Sequence, residues 1–217
     1  RIADDVTDGR GRQAKPIWMA VNGGNSKIVT DPEDPSYPTA PHTPKQLLAF
    51  RPDLAQLRYM LYAAVLNGAT GLWFYQDNSD TLLTRDDPYW GKVLVPAAAE
   101  MRILEDETGF LTQPEYNSAR YHLTGESGPV DSMLKRLGET WMLVVANSSP
   151  GRINGVEFVL EGGMRIGGAV ERLTYRHDAR PAKGRLEAAP AAPGGGDRFP
   201  LDLPGYGVAL YRFRISG

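Results

Sequence analysis

The sequence predicts an α/β portion followed by an all-β portion. The first, over residues 1–112, reads as the last strands and helices of a TIM-type (β/α)8 barrel, and the second, over residues 113–217, as an antiparallel β-sandwich. Two observations carry this. A buried-strand run at Pro16–Val21, an amphipathic helix at Leu54–Ala69 and a second buried-strand run at Gly71–Tyr75 make one parallel strand-helix-strand unit. Such a unit needs parallel neighbours and cover on both faces, so a single copy reads as the C-terminal piece of a larger barrel. After Phe110 the apolar period changes to alternation in short runs between turn signals, the grammar of antiparallel strands.

Taken in order, Arg1–Lys15 is polar, lacks either hydrophobic period and reads as a loop or chain end. Pro16–Val21 is apolar and is followed by Asn22-Gly23-Gly24, whose glycines let the backbone turn. A long loop then carries Pro32, Pro35, Pro38 and Pro41; connections of this length usually have a function of their own. Thr43-Pro44 is a helix start, with Thr as N-cap and Pro at the first helical position, and Pro52 ends or kinks that first segment. In the main helix Leu54, Leu57, Leu61, Ala64 and Val65 form one apolar stripe, stopped by Asn67-Gly68. Gly71–Tyr75 is the next strand, a polar loop follows, and Val93–Glu105 is a helix that accepts Pro96 only in its first turn.

The strands expected beyond are Ala119–Thr124, Ser132–Leu137, Thr140–Ser149, Ile153–Glu161, Val170–Arg176, Phe199–Leu203 and Gly207–Ile215. The Gly162–Gly168 run joins two strands and opens no helix, so it reads as a hairpin turn and not a phosphate cradle. Arg180–Asp197, rich in Pro, Ala and Gly, reads as a mobile excursion.

Composition excludes little. Lys plus Arg is 24 against 26 for Asp plus Glu, a net charge of -2 that gives no general attraction to nucleic acid or to an anionic membrane. No apolar run approaches the roughly 20 residues needed to span a bilayer. With 0 cysteines there is no disulfide, thiol nucleophile or thiolate metal site. The three histidines, His42, His122 and His177, are scattered, and no metal or nucleotide motif occurs, so no cofactor is expected.

The stretches KPIWMAVNGG, TPKQLLAF, QLRYMLYAAVLNGATGLWFYQ, VPAAAEMRILE, ETWMLVVANSS and LPGYGVALYRF occur in the order found at the end of a glycoside-hydrolase-type (β/α)8 barrel with a C-terminal β-sandwich, and this chain resembles that architecture over most of its length. The resemblance implies that Pro16–Val21 is barrel strand seven and Gly71–Tyr75 strand eight. It implies a carbohydrate-active hydrolase or one of its subunits, completed by a complementary N-terminal barrel polypeptide that holds most of the catalytic acids, with an oligo- or polysaccharide as ligand. An extracellular, periplasmic or cell-surface location is implied in the same way. One departure stands out: where many such barrels carry a catalytic Glu at the end of strand seven, this chain has Asn22-Gly23-Gly24. That departure fits a rival reading, a non-catalytic carbohydrate-binding or assembly protein.

Glycoside hydrolysis usually takes two carboxyl groups flanking the scissile bond. Asp77, Asp80, Asp86 and Asp87 follow the second strand, and Asp77 is nearest its end. Each acid is alternatively a turn-former in a solvated loop. Asn22, Tyr75 and Gln76 close the two strands at the end where sites of this fold lie, as sugar-hydroxyl partners or as turn and packing residues. Trp90 in the Tyr89-Trp90 pair is either a flat surface for a sugar ring or a loop anchor, and His42 could face the same site. Trp18, Trp73 and Trp141, inside apolar runs, are expected to be packing residues.

Overall fold

The computed structural model describes residues 18–22, 52–69, 71–75, 88–113, 120–125, 128–177 and 184–216. Strand β1 (Trp18–Asn22) and strand β2 (Gly71–Tyr75) form a two-stranded parallel sheet, with helix α1 (Leu54–Leu66) between them in sequence. A five-residue π-helical turn, Trp90–Leu94, leads into helix α2 (Val95–Thr108).

Local chemistry sets these boundaries. The Asp53 side chain accepts from the Gln56 N–H at 2.8 Å while Gln56 accepts from the Asp53 N–H at 2.9 Å, a reciprocal capping box that starts α1. The expected Asn67-Gly68 stop holds, with Gly68 at a φ of 90°. Pro96 lies in the first turn of α2 as the helix requires, and Gly109, at a φ of 66°, ends it in the left-handed region.

The remaining strands build two antiparallel sheets. One has five strands in the order β4 (Val130–Leu137), β5 (Thr140–Asn147), β10 (Val208–Ser216), β7 (Arg165–His177) and β8 (Gly184–Ala192). The other has three, in the order β3 (Tyr121–Thr124), β6 (Glu157–Leu160) and β9 (Arg198–Pro200).

Strand β5 shows how the layers meet. Trp141, Leu143 and Val145 join a core with Phe158, Leu160 and Phe199 of the smaller sheet. Their alternates Met142, Val144 and Ala146 join a second core with Leu57, Leu61, Tyr62 and Val65 of α1 and Leu104 of α2. Period-two alternation thus places apolar side chains on both faces, which is why β5 is a near-continuous apolar run. Each fully buried Leu or Phe contributes on the order of 1.5–3 kcal/mol.

Two polar contacts reinforce this helix-on-sheet layer. Buried Lys135 of β4 donates to the Phe110 carbonyl at 2.8 Å, and its ammonium lies 4.7 Å from the Phe110 ring centroid. Glu100 of α2, 2% exposed, accepts from Arg58 at 2.6 and 2.7 Å and from the Tyr62 hydroxyl at 3.0 Å, tying α2 to α1.

Two expectations for the all-β portion need correction. Gly184–Ala192 lies inside the stretch expected to be mobile, yet it pairs along β7 from His177↔Gly184 to Val170↔Ala192. The strand is tolerable because it lies at the sheet edge, where Pro190 costs no inner ladder bond. Leu186 packs on the helix-side core, and Glu187 takes Arg176 at 2.7 Å and Arg185 at 2.8 Å.

The glycine-rich run is also less of a turn than expected. Only its start turns, at Gly162 and Gly163 with φ of 71° and 78°; from Arg165 onward it is β7, with Ile166 1% exposed. The apolar side chain of Ile166, between charged and glycine neighbours, finds the core and continues the strand through Gly167 and Gly168.

Candidate functional site

The parallel register runs from Trp18↔Gly71 to Asn22↔Tyr75, so Asn22 and Tyr75 end their strands side by side. This is the part of the expected site that the described backbone brings together. His42, Gln76 and Asp77 lie outside the described residues, as do Asp80, Asp86 and Asp87.

The β1–β2 sheet has one well-covered face. Leu72 and Phe74 of β2 pack on the core that α1 and α2 share with the five-stranded sheet. Trp73, between them and therefore on the opposite face, is 69% exposed. Trp73 does not pack as expected: alternation turns it away from the helices, and no described residue covers it. Trp141 does pack, 7% exposed within the core between the two antiparallel sheets.

Trp90 opens the π-helical turn at 38% exposure, while its neighbour Tyr89 packs against the helix-side core. The extra residue in a π turn rotates the side chains that follow relative to an α-helix, and such turns recur at functional sites. Tyr89 therefore anchors the loop and Trp90 faces outward, dividing between two residues the alternatives that the sequence offered for the pair.

A carboxylate that the sequence reading passed over is Glu100. It sits in the run Pro96–Met101, where a lone acid among alanines on the buried side of a helix is the only sequence signal. Its oxygens accept three hydrogen bonds, which makes it a tie between helices and leaves it poorly suited to proton transfer. Burial, and then the adjacent Glu100 charge, push the Tyr62 phenol well above its usual range.

Among the described residues no group of three or more His, Cys, Asp or Glu side chains could hold a metal ion. No described helix is long and apolar enough to cross a membrane. A cavity of about 250 Å³, lined by Val65, Ala69, Leu72, Met101 and Leu111, lies by Gly71, at the start of β2 and thus at the opposite end of the strand from Tyr75.

No protein-family model matches the chain, and no curated protein matches it. Solved structures give weak likenesses. A GH30 endoxylanase from Clostridium papyrosolvens C71 is 12% identical at a TM-score of 0.45, over 92% of this chain and 42% of that one. The glycoside hydrolase family 30 subfamily 8 xylanase Xyn30A from Clostridium acetobutylicum is 10% identical at a TM-score of 0.44, over 93% of this chain and 43% of that one. The α-L-arabinofuranosidase MgGH51 is 9% identical at a TM-score of 0.40, over 78% of this chain and 29% of that one. The chain thus spans less than half the length of these proteins.

Proposed function

We propose that this chain is the C-terminal part of a carbohydrate-active glycoside hydrolase, two barrel strands with their helices followed by a β-sandwich, completed by an N-terminal barrel polypeptide. The observation that carries the reading is the parallel β1–β2 pair, sealed by helices on one face and presenting Trp73 at 69% exposure on the other. A two-stranded parallel sheet with one bare face is not a stable end state. Further parallel strands would extend its ladder and turn the Trp73 face into a barrel interior. The sequence resemblance supplies the carbohydrate class, and the order of the helices, the parallel pair and the antiparallel sheets is compatible with it.

In this reading Asn22, His42, Tyr75, Gln76 and Trp90 contact the sugar, and Asp77 is the one candidate here for a catalytic carboxyl group. The partner polypeptide would supply the remaining acid. The second reading, a carbohydrate-binding or assembly protein without catalysis, is favoured by one feature: β1 ends on Asn22, where the resembled barrels often place a Glu.

The test is hydrolysis of a polysaccharide panel by the native assembly, beside retention on the same polymers. Hydrolysis lost in Asp77→Asn, with unchanged folding and retention, supports the catalytic reading. Retention without hydrolysis by the wild type selects the binding reading. A lone, monomeric, cooperatively folding chain with neither property refutes both.

A further inference from the structure

At one end of the five-stranded sheet lies a cleft of about 400 Å³ lined by Arg136, Glu139, Trp141, Met164, Arg214 and Ile215. It forms where the β4–β5 turn, the start of β7 and the end of β10 converge. Its apolar lining is the accessible margin of Trp141 with half-buried Met164 and Ile215. Its polar lining holds two guanidinium groups and one carboxylate.

Several arginines of the two sheets are matched, Arg152 and Arg172 with Asp202, Arg176 and Arg185 with Glu187, Arg198 with Asp197, and Arg212 with Glu171, while exposed Arg165 forms no ion pair among the described residues. Among the described residues Arg214 and Glu139 form no ion pair, with each other or with any other group, although both line this cleft. Arg136 is steadied by its Nε, which donates to the Gly138 carbonyl at 3.0 Å across the tight turn. The formal charges of the lining side chains are two positive and one negative.

We propose that this cleft binds a carboxylate borne on a body with an apolar face. The planar guanidinium fork matches a carboxylate in two parallel hydrogen bonds, and the apolar lining accepts the ligand's nonpolar side. Glu139 in the lining is an acceptor for a hydroxyl group and repels a second negative charge. The ligand is either a free organic acid or an acidic residue of a polymer, and both present the same group. This site is independent of the barrel reading.

The experiment is titration calorimetry of the full chain, with its native partner if one co-purifies. The free-acid probe is phenylacetate, with phenylacetamide as the neutral control. The polymer probe is polygalacturonate, with its methyl ester as the neutral control. Saturable binding of either acid form and none of its neutral control supports the site, and which acid binds distinguishes the two sources.

Replacing Arg214 by Gln removes a charge-assisted bond and should weaken that binding on the order of tenfold. Arg136→Gln should act in the same direction, while Arg120→Gln, on an exposed arginine outside the cleft, should leave binding unchanged. Arg214→Lys keeps the charge without the fork and should fall between wild type and Arg214→Gln. No saturable binding of either acid, equal binding of a neutral control, or wild-type affinity in Arg214→Gln overturns the proposal.

Discussion

Glu100→Ala should be among the most damaging single changes in the helical layer, and its cost can be worked from contacts. The carboxylate is 2% exposed and accepts two hydrogen bonds from Arg58 and one from Tyr62. Breaking a buried ion pair by removing one partner costs about 3–5 kcal/mol. The Arg58 side chain is 26% exposed, so water recovers part of its solvation and the low end applies, about 3 kcal/mol. The Tyr62 hydroxyl, on a residue 0% exposed, loses its acceptor as well, which adds about 1 kcal/mol or more.

For a chain of this size a loss of about 4 kcal/mol lowers Tm by roughly 8–16 °C. Thermal unfolding followed by circular dichroism reads it. The paired change Arg58→Met with Glu100→Leu should recover most of the loss, because apolar groups of similar volume need no partner. A Tm for Glu100→Ala within 2 °C of wild type, or no recovery in the double variant, would refute the view that this buried pair holds α1 against α2.

Other outcomes follow from the same contacts. The Tyr62 phenol titrates higher in the folded chain than unfolded, so its contribution to stability is complete below its ordinary value near 10 and is lost as pH rises toward its folded value; denaturant titrations from pH 8 to 11 should show a decline that Tyr62→Phe flattens. Asn147, 0% exposed, donates to the carbonyls of Gly151 at 2.8 Å and Pro204 at 2.9 Å and accepts from the Ser149 N–H at 2.8 Å. Asn147→Ala should cost about 2–3 kcal/mol in urea denaturation, since it leaves buried backbone groups unmatched. If the chain completes a barrel with a second polypeptide, as proposed above, Trp73→Gln should leave the chain's own stability within about 0.5 kcal/mol and weaken capture of that polypeptide. Loss of several kcal/mol of chain stability in Trp73→Gln would show that the bare face is already covered.

The elements carried by strong local signals were legible from the sequence. Gly71–Tyr75 has the extent read from its apolar run, and α1 stops at the Asn67-Gly68 signal. Strand β8 was not legible, because Ala and Pro have weak strand preference and what makes it a strand is its long-range pairing with β7. The exposure of Trp73 was hidden for a similar reason. Periodicity tells which residues share a face, and only the packing of α1 and α2 tells which face is covered. At the candidate site the sequence nominated Asn22 and Tyr75 from their place at strand ends, and the register sets them side by side. Glu100 escaped because its role depends on Arg58 and Tyr62, 42 and 38 positions away, on another helix.

The double-faced burial of β5 bears on how the two portions depend on each other. Met133, Met142, Val144, Leu173, Val208 and Leu210 of the five-stranded sheet share a core with Leu57, Leu61, Tyr62 and Leu104 of the helices. A sheet tethered by a plain linker would turn polar residues to that side, as antiparallel sheets with one wetted face do. Here the helices supply the cover, so the antiparallel sheets act as a platform on which α1 and α2 are seated. Any β-strand added beside β1 or β2 would then meet a parallel pair whose outer layer is already braced. Energy lost at the Glu100 tie or the Lys135–Phe110 contact would reach β2 through Leu72 and Phe74, which rest on the same core. The strand ends bearing Asn22 and Tyr75 are in this sense positioned by a core that reaches as far along the chain as Val208 and Leu210.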